Sequence, residues 1–345
     1  HLPVRDFIFH KVDGLSREWE QRRVGVLDAA AGGGANFFYA VPEALVMRTM
    51  PPEVLARLGF TLSLSEEYDL TELVSRLVRA GYRRFDTVEG CGQFALRGGI
   101  LDVFPPGAES PCRMEFFGDE INSMGLFDLA SQRRIETASE VRILPVSEVP
   151  PEACGGSAAE FFDELEKAAR RRKSTPEAYY ATLERDRERA QNGMLDAVAD
   201  RYIGQIFPQF ACALDHFPED TVVLVDDSAR MRERLGGYYW QQGEDLTRLL
   251  ADGVLSQRQT VLSLEQAGLE ARLSDRVTIF ADSILGRGIT PAPRTLLSYS
   301  VKQLPSFGAG TDMLLSDLGH YTENRYGVLV LAGTARRAAN LCDLL

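Results

Sequence analysis

The chain has 345 residues, of which 45% are hydrophobic and 26% charged, and 38 lysines and arginines against 50 aspartates and glutamates give a net charge of −12. That length and apolar content exclude a disordered chain and leave room for two or three domains, and the negative balance is the wrong sign for a free-standing nucleic-acid binder, which must neutralise phosphates. Five cysteines without a CxxC pair and only four histidines argue against structural zinc or a disulfide framework, and the lack of a membrane-spanning apolar run or secretory amino terminus makes the cytoplasm the default.

In chain order, residues 14–28 set Leu15, Trp19, Val24 and Leu27 among charged residues at helical spacing. The run Gly32, Gly33, Gly34 then breaks the helix before a strand-like segment at 35–41. Asp69 opens an Asp-x-x-Glu capping box with Glu72, followed by Leu70, Leu73, Val74, Leu77 and Val78 on one face and Gly81 as a stop. Residues 81–145 read as short strands: 93–97 and 100–104 flank the pair Gly98, Gly99, and 113–117 runs through a Gly118, Asp119 turn into 121–127. Alternation puts Phe94, Leu96, Met114 and Phe116 on a buried side and Gln93, Arg97, Arg113, Glu115 and Phe117 on the other. On pattern alone, such arginines are solvated and Phe117 lies under a neighbouring helix. An aromatic ring among arginines is also the composition of a protein-docking hot spot.

Pro150, Pro151 and Gly155, Gly156 mark a linker, after which residues 158–195 are charged and helical, interrupted at Pro176. The dense basic run Arg170, Arg171, Arg172, Lys173 reads as a solvated helix face, because Glu164, Glu166, Glu184 and Glu188 flank it. From Thr221 onward the strand-like TVVLV, RVTIF and YGVLVL alternate with helical segments, the pattern of a parallel sheet wrapped by helices.

The segment TVVLVDD has the form of a Walker B strand, ending in Asp226 and Asp227, although an apolar strand ending in carboxylates before a helix is also ordinary helix capping. No G-x-x-x-x-G-K-[ST] occurs in the sequence. His10, His216 and His320 stand far apart with no nucleophile motif, and the pair Asp312 and Asp317 is what any amphipathic helix displays, so no catalytic or metal-ligating residue is assigned.

The strings FALRGGILDVFPPG, RMEFFGDEI, FDLASQRRIE and ILPVSEV closely resemble the second domain of the UvrB-homology module in the bacterial transcription-repair coupling factor family, Mfd. LPVRDFIFHKVDGLSREWEQRRVGVL upstream, and FPEDTVVLVDDSARMRERL with YGVLVLAGTARRAANLCDLL downstream, resemble the two halves of that module's first domain. The resemblance implies an α/β fold: a degenerate, P-loop NTPase-like (UvrB-like) parallel-sheet domain split by an inserted α+β domain with antiparallel hairpins. Its parts fall at 1–68 (the latter part of an N-terminally truncated first domain), 69–150 (the inserted domain), 151–205 (a helical linker) and 206–345 (the returning half-domain).

The resemblance further implies a non-catalytic recruitment module that binds UvrA through Arg97, Arg113 and Phe117. The arginines would offer donor forks to carboxylates of UvrA, and Phe117 a desolvated anchor. Asp226 and Asp227 match a degenerate Walker B, since the UvrB pattern Asp-Glu-Ser-His reads Asp226, Asp227, Ser228, Ala229 here. No cofactor is expected in this segment; ATP and Mg belong to the motor domains of the full-length family, an ATP-dependent DNA translocase. RNA polymerase and double-stranded DNA are bound there through other domains, an autoinhibitory contact with the carboxy-terminal domain masks this module, and no membrane is involved. The alternatives are a UvrB-type ATPase or helicase fragment in damage verification and a DNA-contacting module using the Arg170 run.

Overall fold

A computed structural model describes residues 1–10, 16–34, 36–150, 157–172, 175–192, 194–283, 292–299 and 312–344. These form two units, His1–Ala292 and Pro293–Leu345. Leu15, Lys173 and the linker at 151–156 lie outside the described residues.

Helix α1 (Glu18–Ala31) buries Glu20, Arg23, Val24, Leu27 and Ala30. Trp19, expected on the apolar face, is exposed; at about 100° per residue it sits roughly 140° from Val24 around the helix. The expected strand at 35–41 does not form. Its only pairing among the described residues is a bridge from Ala40 to Leu2, and Phe37 and Tyr39 face solvent. Two short helices follow, α2 (Pro42–Val46) and α3 (Pro52–Leu58), each with proline in its first turn, where the missing N–H has no intrahelical partner to lose.

The next segment is built around a six-stranded sheet in the order β2 (Arg83–Arg84), β3 (Gln93–Arg97), β4 (Ile100–Val103), β5 (Cys112–Phe117), β6 (Glu120–Phe127) and β7 (Arg134–Thr137). Antiparallel pairing runs from β3 to β7, and both expected hairpins form, with Gly98 and Gly118 in left-handed conformation at their turns. Strands β1 (Phe60–Ser63) and β8 (Glu140–Ile143) pair separately with each other. Helix α4 (Leu70–Arg79) begins where the Asp69 carboxylate accepts from the amides of Thr71 at 2.7 Å and Glu72 at 2.9 Å. The Glu72 carboxylate accepts from Arg79 rather than closing the box. Leu73 and Leu77 of α4 join Leu62, Phe94, Leu101, Met114, Ile121 and Ile143 in one core, whereas Val78 stays exposed.

Helices α5 (Ala158–Arg170) and α6 (Glu177–Gln191) form a hairpin, with Ser157 and Glu160 closing a capping box on the first and Pro176 capping the second. After α7 (Ile203–Ile206), β9 (Val223–Asp226) leads into α8 (Ser228–Ala251) and α9 (Gln266–Ser274), and β10 (Thr278–Ala281) pairs parallel to β9. Leu224 and Ile279, directly paired, are both exposed. The second unit holds α10 (Asp312–Glu323) and α11 (Ala335–Leu344). Between them, residues 326–331 form no strand: the apolar run has no ladder partner among the described residues, and Leu329 and Leu331 are exposed.

Helix α1 joins the sheet-bearing segment to the rest of its unit. Gln21, Gly25 and Asp28, at helical spacing, share one face. A Cβ at Gly25 would lie 2.6 Å from the Cα of Gly107, so the two backbones touch, and Arg142 donates to Asp28 at 2.9 Å. Toward the core, Arg23 donates to Glu148 at 2.7 Å, the Glu148 amide donates to Glu20 at 2.9 Å, and Thr49 donates to Glu148. Arg5 lies 3.0 Å from Glu148 and donates to Asp200 at 2.9 Å. Two guanidinium groups thus face three carboxylates in a buried site. Burial, reinforced by Asp200 and Glu148 and opposed by Arg5 and Arg17, pushes the Glu20 carboxyl up to about 7. Glu148, against the effect of its burial, is held below the usual carboxylate range by Arg23 and Arg5.

Between Glu20's ordinary 4.5 and its folded value of about 7, the folded state holds a proton that the unfolded state has released. Glu20 therefore stabilises the fold fully below pH 4.5, and that contribution is lost as pH rises through about 7. Glu20→Gln should remove a pH-dependent loss of roughly 3 kcal/mol between pH 4.5 and 8, read from urea melts of both proteins across that range. Gly25→Ala should destabilise by about 1–3 kcal/mol in the same assay, because the obstacle is backbone. Gly236→Ala, in helix α8 with open space around the new Cβ, should be neutral or stabilising by about 0.5–1 kcal/mol.

Candidate protein-docking face

The hairpin register sets the face residue by residue. Arg97 pairs across to Ile100, Ile100 to Glu115 and Glu115 to Ser123. One row away, Ala95, Asp102, Arg113 and Gly125 align. Asp102 is fully buried and accepts from both arginines: Arg97 Nη2 at 2.7 Å, and Arg113 Nε at 2.7 Å with Nη2 at 2.8 Å. The Arg113 contact is a bidentate, directly cross-strand pair and that of Arg97 a diagonal one. Arg113 also stacks on Phe127, 4.5 Å from the ring centroid, and donates to the Gln132 carbonyl at 3.3 Å. Its hydrogen bond to Asp102 raises the guanidinium pKa against the effect of desolvation. Arg97 is the more open of the two and donates to the Asp86 carbonyl at 3.0 Å.

Phe117 ends β5 at the Gly118 turn, on the same side as Arg113 and Glu115, and is 82% exposed. Its neighbour Phe116 turns inward against the core. The structure therefore gathers Arg97 and Arg113 on one carboxylate and leaves Phe117 uncovered farther out on the same face. The donor forks expected to reach for a partner's carboxylates are instead engaged by Asp102 of the same chain. Asp102 went unrecognised in the sequence although a signal existed: it is a lone carboxylate in the apolar strand Ile100–Val103, placed opposite Arg113 by two legible hairpins.

The other flagged residues lie elsewhere. Asp226 is exposed at the end of β9. Asp227 adopts a left-handed conformation, φ 64°, and its carboxylate accepts from the Arg230 amide at 3.0 Å, capping α8. Ser228 donates through its amide and hydroxyl to Asp282, the residue after β10. Arg170 of the basic run pairs with Glu166 at 2.6 Å and lies over Tyr180.

Asp102→Ala would leave two guanidinium groups facing a void. We expect a loss of about 2 kcal/mol or more in chemical denaturation, with Asp102→Asn intermediate because it keeps acceptor capacity.

The UvrB interaction domain family matches residues 60–148, the span from β1 to Glu148 that contains this face. Transcription-repair-coupling factors resemble the chain over nearly its whole length: that of Bacillus subtilis (strain 168) is 26% identical over 349 residues, and that of Staphylococcus haemolyticus (strain JCSC1435) 24% identical over 359. Each match covers 99% of this chain, which spans 29% of the length of these relatives. Among the described residues no helix is long and apolar enough to cross a membrane. Residues 60–148, which carry the Asp102 face, thus match the UvrB interaction domain, and the chain is similar along 99% of its length to transcription-repair-coupling factors.

Proposed function

We propose that this chain is the cytoplasmic recruitment module of a transcription-repair coupling factor, and that it binds UvrA through the β3–β5 face without catalysing a reaction. The observation that carries the reading is Phe117, a large aromatic side chain held 82% exposed on a rigid hairpin beside Arg97. Exposing such a ring is unfavourable unless a partner covers it. Arginine and aromatic side chains together are the composition of binding hot spots. The division into parts at 1–68, 69–150, 151–205 and 206–345 belongs to the same reading. So does the view of β9, α8 and β10 as a degenerate P-loop NTPase-like remnant, in which Asp227 caps a helix. ATP, magnesium, RNA polymerase and double-stranded DNA are assigned to the remainder of the longer relatives.

Calorimetric titration with UvrA tests this. Phe117→Ala and Arg97→Ala should each weaken binding by about 2 kcal/mol, roughly thirtyfold, with unchanged circular dichroism. Absence of binding by the wild type, or full affinity in both variants, would overturn the assignment.

A further inference from the structure

The exposed side chains of this face extend beyond Arg97, Arg113 and Phe117. Strand β2 runs parallel to β3 with Arg84 opposite Phe94, and the pairing continues one residue on through the Phe85 amide, which donates to Phe94 at 2.9 Å. That register aligns Phe85 with Ala95, in the same row and on the same side as Asp102 and Arg113. Phe85 is 45% exposed and Ile100 36%. Ile100 pairs with Arg97 on one side and Glu115 on the other. Phe85, Ile100 and Phe117 are thus three exposed apolar side chains spread across one face, with Arg97 among them.

The charges on this face nearly cancel. Arg97 and Arg113 are joined by Arg83, opposite Gln93 on β2, and by Arg134, which covers Gly125 and donates to Ser123 at 3.0 Å. Against them stand Asp102, Glu115 and Glu120, the last being the cross-strand partner of Phe117. Four guanidinium groups meet three carboxylates, one of which is buried between two arginines, which leaves a single net positive charge. Such a face exerts little long-range pull on an acidic partner, and an acidic cluster brought against it would meet Glu115 and Glu120 as well. What it offers is apolar area, plus the outward N–H groups of Arg97 for a single acceptor.

Building on the UvrA reading, we propose that this face recognises a mainly apolar, nearly neutral surface of its partner, with Phe85 and Ile100 as further contact residues beside Phe117. The surface it fits is a shallow apolar patch carrying one carboxylate or carbonyl for Arg97. Asp102 is then a positioning residue that holds the two guanidinium groups in place and offsets one of their two charges.

The experiment is titration of the chain with UvrA at 0.1 and 0.5 M NaCl, for the wild type, Phe85→Ala, Ile100→Ala and Val78→Ala. Val78 is an exposed apolar residue of α4, outside the face, and serves as the control. The proposal expects about fivefold or greater weakening in Phe85→Ala and Ile100→Ala, no more than about twofold in Val78→Ala, and less than about fivefold loss of wild-type affinity with salt. Wild-type affinity in both face variants, or a salt-induced loss above about fivefold, overturns it while leaving UvrA binding intact. Failure of the wild type to bind at either salt concentration overturns the UvrA reading and this proposal together.

Discussion

Glu148 is the point on which the frame depends. It closes the segment matched by the UvrB interaction domain, and it is reached by Arg23 of α1, Arg5 of the amino-terminal stretch and Thr49 from the connection between α2 and α3. A buried carboxylate with three such partners is tolerable only while all of them are present, because removing one leaves an uncompensated charge in a low-dielectric site. The chain must therefore bring four stretches distant in sequence to one place. Asp200, held by the same Arg5, adds the region following the α5–α6 hairpin.

Asp102 repeats this logic on a smaller scale and for a different end. Glu148 binds parts of the chain to one another, whereas Asp102 binds side chains of one sheet face into a fixed arrangement. Ordinary hairpin chemistry makes this possible. Gly98 and Gly118 supply the left-handed turns that set the register, and the register brings Asp102 opposite Arg113. Alternation then sends Met114 and Phe94 into the core and Arg113 and Phe117 to the other side. The register shift between Glu115 and Phe116 leaves that alternation intact in β5, because the extra residue, Asn122, falls in β6.

Features that depend on neighbours in sequence were legible. The hairpin turns, the Asp69 cap and the break at Pro176 each follow from two to four consecutive residues, and all three appear where expected. The resemblance singled out Arg97, Arg113 and Phe117, and the register places them on one face. Features that depend on distant partners were not legible. Trp19 satisfies a loose helical spacing, yet the buried side of α1 is chosen by what packs against Val24 and Leu27. Residues 326–331 have strand composition, but a strand needs a partner ladder and composition does not provide one. The protonation of Glu20 arises from its burial, reinforced by Asp200 and Glu148, neither of them its neighbour in the chain.

The contact between Gly25 and Gly107 has a mechanical meaning. Two backbones in contact without intervening side chains leave no rotamers at this point to readjust. Together with the ion pair from Arg142 to Asp28 on the same face of α1, it fixes the heading of the hairpin face with respect to the helix. A molecule seated on Phe117 would be held at a set angle to α1, so a push on the helix would reach it as displacement instead of being absorbed in the joint.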